Sequence, residues 1–234
     1  FRANFAMSED TVKLLGAWAS PFVMRPRVAL NLKNVPYQFL EETFGSKSDL
    51  LLKSNPVHKK IPVLLHHGRA ICESLLIVEY IDEVWSSGPP ILPSDPFRRY
   101  TERFWADFVD QKIFPAMREI GASANEEAKT AAVERVREGL DLLEEAYGKI
   151  SNKEGFFGGS RIGFLDIALG SVVGWLNASS KMNGVELLDE SRVPGLRRWA
   201  AAFCAEPSVQ PVMPDPDKLV ELGKMMREKM SGRK

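Results

Sequence analysis

The chain has 234 residues, 44% of them apolar and 26% charged, and its 31 basic and 31 acidic side chains leave zero formal net charge. That is globular composition, enough for one large domain or two small ones. It excludes the basic excess that nucleic-acid binding requires, since basic residues gather only in pairs such as Lys59-Lys60, Arg98-Arg99 and Arg197-Arg198. No apolar run reaches the roughly 18 to 20 residues that span a bilayer, and Cys72 and Cys204 are too far apart for a Cys-x-x-Cys site, so the expectation is a soluble, cytosolic protein without disulfide framework, metal or membrane association.

Residues 1–10 read as an N-terminal extension, of which Phe1 to Ala6 precede a plausible initiator at Met7 and are set aside from fold reasoning. Val12 to Ala17 is a short apolar run and predicts a first strand. Ser20-Pro21 then opens a helix carrying Val28, Leu30 and Leu32, with Pro26 an oddity inside it that is expected to affect Arg27. Tyr37 to Glu41 alternates as a second strand, and a loop with room for a short helix follows. Ile61 to Leu65 is a third strand, His66-His67-Gly68-Arg69 a turn, and Ala70 to Cys72 a fourth strand. Leu75, Leu76, Val78, Glu79, Ile81 and Asp82 form an amphipathic helix. The order β-α-β, then β-β-α, is a thioredoxin-like pattern over residues 11–85.

Within residues 86–97, the segment SSGPPILPSDP has eight Ser, Gly or Pro in eleven positions and reads as a linker. Residues 98–234 lack strand signals. Tyr100 to Ile120 predicts one long helix bent at Pro115, and Glu126 to Ile150 places Val133, Val136, Leu140, Leu143 and Tyr147 at helical spacing. Leu165 to Leu176, Leu196 to Phe203 and Leu219 to Met226 supply three more helices. The three histidines, His58, His66 and His67, have no metal spacing and read as surface or loop residues.

The junction Cys72-Glu73-Ser74 places an acid and a hydroxyl where a strand passes into a helix. Unpaired N–H groups there favour a carboxylate, and Glu73 is suited to an ammonium, so a small anionic peptide fits. Glu73 alone would read as a helix-capping acid, and Cys72 as a small buried apolar residue.

Trp18-Ala19-Ser20-Pro21-Phe22, Asn55-Pro56-Val57-His58-Lys59-Lys60-Ile61-Pro62-Val63-Leu64 and Glu73-Ser74, with the domain order, resemble the plant tau class of cytosolic glutathione transferases from Val12 to about Met226. The resemblance implies the glutathione transferase fold: an α/β thioredoxin-like N-terminal domain followed by an all-α helical domain. It also implies glutathione as cosubstrate, with no resident cofactor, and a homodimer.

It further implies that Ser20, otherwise a plain helix cap, donates a hydrogen bond to the glutathione sulfur and favours thiolate. Lys47 and Lys60 take the glycyl carboxylate, a cis Ile61-Pro62 bond frees the backbone of Ile61, and Glu73 with Ser74 hold the γ-glutamyl end. Asp110 and Gln111 contact glutathione across the dimer. Phe22, Phe114, Arg118 and Trp175 wall a pocket for a hydrophobic electrophile between the domains, wider at Gly121, where many tau enzymes carry tryptophan. Gly163-Phe164-Leu165-Asp166 matches the tau form of a buried capping motif with Asp166 as a structural residue. The implied activity is conjugation to hydrophobic electrophiles, detoxification chemistry, with peroxidase activity left open. The rival is a non-catalytic carrier of hydrophobic metabolites or glutathione adducts.

Overall fold

The computed structural model describes residues 11–43, 45–151 and 155–231; the N-terminal extension expected at residues 1–10 lies outside the described residues. The chain divides into two compact units, residues 1–89 and 90–234.

The first unit holds a four-stranded sheet in the order β2-β1-β3-β4, formed by β1 (Lys13–Gly16), β2 (Gln38–Glu41), β3 (Val63–His66) and β4 (Arg69–Cys72). β1 runs parallel to β2 and antiparallel to β3, and β3 is antiparallel to β4. Alternation along the strands sends Leu15 and Val63 to one face, where they pack with Leu51 of α2 (Asp49–Ser54), and Leu14 and Leu64 to the other. α1 (Pro21–Leu32) packs on α3 (Ser74–Val84), which runs against β3 and β4. Their far ends are tied by Lys33 and Asp82, whose charged atoms approach to 2.6 Å with both side chains largely buried.

Several boundaries differ from the sequence expectation. Tyr37 lies outside β2; its hydroxyl accepts from Arg27 Nε at 3.2 Å, while the Arg27 guanidinium lies over the Phe39 ring. The expected four-residue turn at His66 to Arg69 is tighter. His66 and Arg69 form the last ladder pair, and only His67 and Gly68 turn, both with positive φ as a two-residue hairpin requires. His66 is therefore buried rather than a surface residue, and its Nδ1 lies 2.8 Å from the Tyr80 hydroxyl. Cys72 is half-buried rather than core, with its thiol donating weakly to the Ser54 carbonyl; burial raises its pKa.

The second unit is helical. α4 (Pro96–Phe108) starts earlier than expected, because Asp95 accepts from the Arg98 N–H at 2.7 Å and Pro96 occupies the first turn. The expected single helix bent at Pro115 is instead interrupted by a π-helical turn, Val109–Ile113, before α5 (Phe114–Ala122). The Phe114 N–H reaches back five residues to the Val109 carbonyl, and Pro115 next to it has no N–H to resume the α pattern. α6 (Glu126–Ile150), α7 (Phe164–Asn183), α8 (Pro194–Ala205) and α9 (Pro216–Ser231) complete the unit.

α7 is its central element, buried from Phe164 through Gly174 without a polar stripe, and packs against α4, α5, α8 and α9. Asp166 sits at its start, wholly buried. It accepts from the N–H groups of Phe157, Gly158 and Gly163 at 2.8 to 2.9 Å and from the Trp199 indole at 2.7 Å. Glu144 of α6 caps α8 by accepting from Gly195 and Leu196.

Candidate functional site

The strand register gathers the first unit's predicted site residues at one end of the sheet. Gly16 pairs with Glu41, Leu15 with Val63, and Val63 with Cys72. The chain therefore leaves β1 toward Ser20, leaves β2 toward Lys47, enters β3 from Ile61-Pro62, and leaves β4 into Glu73-Ser74, all at that end.

Each segment is locally fixed. Ser20 is the N-cap of α1: its backbone is extended and its Oγ accepts from the Val23 N–H at 3.4 Å. A hydroxyl offers one proton and two lone pairs, so this bond leaves the proton free to donate outward. Ser20 is half-buried, exposed enough to reach a ligand.

The Lys47 loop is held by Glu42, whose carboxylate accepts from the Ser48 hydroxyl at 2.5 Å and the Ser48 N–H at 3.1 Å. Lys47 and Lys60 are exposed. The loop before β3 is organised by buried Asn55, whose amide donates to the Lys60 carbonyl at 2.9 Å and accepts from the His58 N–H at 3.1 Å. It leads into the Ile61-Pro62 peptide, which is cis.

Glu73 has φ of +70°, a conformation that non-glycine residues adopt rarely and that clusters at ligand sites. Its carboxylate is exposed and lies 3.8 Å from His58 Nε2. Ser74, next in the chain, is buried and begins α3. Its Oγ accepts from Nη1 of Arg25, which is itself fully buried.

Of the other predicted residues, Phe22 lies on α1 beside the Arg25 guanidinium. In the helical unit, Asp110 and Gln111 fall within the π-helical turn, and Phe114 and Arg118 stand one turn apart on α5. Trp175 lies on α7, half-buried, and Gly121 faces the Arg227 side chain of α9. Sequence reading missed Arg25, Glu42 and Glu102. Arg25 and Glu102 find their partners 49 and 62 residues on, where no local pattern announces them, and Glu42 finds Ser48 six residues on in the same loop.

Among the described residues, no group of three or more His, Cys, Asp or Glu side chains could hold a metal ion, and no helix is long and apolar enough to cross a membrane.

Comparison with known proteins bears on this geometry. The family model described as "Glutathione S-transferase, N-terminal domain" matches residues 10–83, and that of the "Glutathione S-transferase, C-terminal domain" matches residues 126–202. Glutathione S-transferase U17 of Arabidopsis thaliana is 55% identical over 219 residues, spanning 93% of this chain and 96% of that protein. The tau class glutathione S-transferase of mango, Mangifera indica, superposes with a TM-score of 0.90 at 57% identity, covering 93% of this chain and 99% of the mango chain. A rice enzyme solved in complex with glutathione gives 0.87 at 36% identity, covering 95% and 98%. With both domain models matched and close relatives aligned over nearly their whole length, this chain belongs to the tau class of the glutathione transferase family.

Proposed function

We propose that this transferase binds glutathione across the end of the first unit's sheet, ionises its thiol at Ser20 and presents the thiolate to a hydrophobic electrophile. The observation that carries the reading is the Ser20 hydroxyl, anchored by the Val23 N–H at a helix N-terminus with its proton free. A donated hydrogen bond and the positive end of α1 both favour thiolate over thiol. Each unit of thiol pKa depression corresponds to about 1.4 kcal/mol. Serine forms no mixed disulfide, which favours conjugation over thiol exchange.

In this reading Lys47 and Lys60 take the glycyl carboxylate and the Ile61 backbone before Pro62 pairs with the cysteinyl backbone. Glu73 and Ser74 hold the γ-glutamyl end. Asp110 and Gln111 reach glutathione from a second subunit, and Phe22, Phe114, Arg118 and Trp175 contact the electrophile. Glutathione is consumed as cosubstrate, and no resident cofactor takes part. The exposed aromatic face of α4, with Phe97, Tyr100 and Phe104, supports the homodimer, the commonest closed assembly. The cytosol is the proposed location.

A second reading, a carrier of hydrophobic ligands, draws on a groove of roughly 430 Å³ between α4 and α6, where Phe97, Trp105 and Leu142 lie beside Arg98 and Lys149. Conjugation to a chloronitroaromatic acceptor, followed against pH for the intact protein and Ser20→Ala, decides between them. Serine-dependent turnover with an apparent pKa below that of free thiol supports the enzyme. Glutathione binding without turnover supports the carrier.

A further inference from the structure

Among the described residues of the glutathione-binding unit, the guanidinium of Arg25 is the most deeply buried charge, with no exposed surface, yet it stands on the helix that Ser20 caps. Its Nη1 donates to Ser74 Oγ at 3.2 Å, joining α1 to the first residue of α3. The Phe22 ring lies 4.9 Å from its Cζ and closes one side.

From this arrangement we infer that Arg25 is a positioning residue for recognition of the γ-glutamyl α-carboxylate, acting through the Ser74 hydroxyl. This rests on the glutathione reading above and extends it to the group that recognises the far end of the peptide.

Arginine is always charged and only donates, so a serine oxygen that accepts from it commits a lone pair to the guanidinium. The Ser74 hydroxyl proton is then turned away from Arg25 and becomes a donor. A buried cation behind that hydroxyl polarises it and attracts an anion in front of it, and both effects are stronger in a low-dielectric setting. Glu73, immediately before Ser74, has the positive φ that non-glycine residues keep only where the surrounding structure holds them. One helix thus governs two points of the ligand: Ser20 at its cap meets the central sulfur, and Arg25 more than one turn further sets the hydroxyl for the γ-glutamyl carboxylate. Methionine in place of Arg25 would leave the Ser74 hydroxyl free to rotate and the carboxylate without its supporting charge.

The test compares glutathione with its analogue lacking that carboxylate, 4-aminobutyryl-cysteinylglycine, by calorimetric titration of the full-length protein and of Arg25→Met, Arg25→Lys and Ser74→Ala. The intact protein should prefer glutathione by about 10- to 100-fold, the scale of a hydrogen bond to a charged group. Arg25→Met should bring that preference down to about threefold or less, and Arg25→Lys, which keeps a cationic donor, should restore most of it. Ser74→Ala should flatten the preference with Arg25 in place, which keeps the inference testable if Arg25→Met does not fold.

Equal weakening of both ligands by Arg25→Met would overturn the inference and leave Arg25 a packing residue. Full preference retained in Ser74→Ala would overturn it too. An intact protein that binds both ligands equally leaves Arg25 no carboxylate to serve. One that binds neither ligand defeats the glutathione reading itself, a different result from losing preference alone.

Discussion

Glu102 Oε2 accepts the Phe164 backbone N–H at 3.1 Å, so a buried side chain of α4 caps a helix that begins 62 residues later. The helix needs this, because Gly163 at its N-cap has no side chain of its own. Burial and the facing Asp166 carboxylate push Glu102 from its ordinary 4.5 up to about 7, against the opposing pull of the Leu165 and Phe164 N–H groups and Arg98. Between those two values the folded chain holds a proton that the unfolded chain has released. The stability this group contributes is full below 4.5 and is lost as pH rises through about 7. Asp166, pushed up to about 6 by burial, acts with the same sign. Glu102→Gln keeps an oxygen for the Phe164 N–H and carries no charge. Its stability relative to the intact protein should rise by on the order of 1–2 kcal/mol between pH 5.5 and pH 8. Urea midpoints at the two pH values check this; parallel pH profiles would refute it.

Four donors converge on Asp166, three of them backbone N–H groups and the fourth the Trp199 indole. Alanine there strands all four in a dry interior and should cost about 3–5 kcal/mol. Asparagine should be nearly as damaging, because its amide nitrogen would point donors at donors. Chemical denaturation followed by circular dichroism measures both.

A Cβ on Gly170 would run into the Phe203 ring, which stacks on Trp199 where α7 meets α8. Gly170→Ala should therefore destabilise the protein by about 1–3 kcal/mol. Phe203→Leu in the same chain should recover part of that loss. A double-mutant cycle tests the pair, with a coupling energy of at least about 0.5 kcal/mol expected.

Ser20→Ala should lower turnover by about tenfold or more while glutathione affinity changes by less than about threefold, since the hydroxyl acts on the thiol proton rather than on peptide binding. Ser20→Cys should exchange conjugation for mixed-disulfide chemistry, detected by mass spectrometry of the glutathionylated protein. Unchanged turnover in the alanine variant would remove Ser20 from the mechanism.

The strands and helices were legible because apolar spacing is a local property: Glu126–Ile150 stands where its repeat places it. Misplaced features trace to pairings that apolar spacing does not show. His66 looked like a turn residue until Arg69 paired with it across the ladder and Tyr80 took its ring nitrogen. Pro115 signalled a disturbed helix, yet the disturbance is absorbed ahead of it, by a carbonyl-to-amide register that sequence does not announce. Within the candidate site, Ser20 and Glu73-Ser74 could be read from motif and cap chemistry. Arg25 could not, because a charged residue in a helix ordinarily faces water and its partner Ser74 lies 49 residues on.

The π-helical turn works as a phase slip. Its five-residue hydrogen-bond step rotates everything after Val109 relative to α4, so that Phe114 and Arg118 are aimed independently of the aromatic run Phe104, Trp105 and Phe108 that precedes them. The extra girth is taken up by Gly139 on α6, where any Cβ would meet Ile113. Substitutions on α5 can therefore retune what that face presents without re-registering α4.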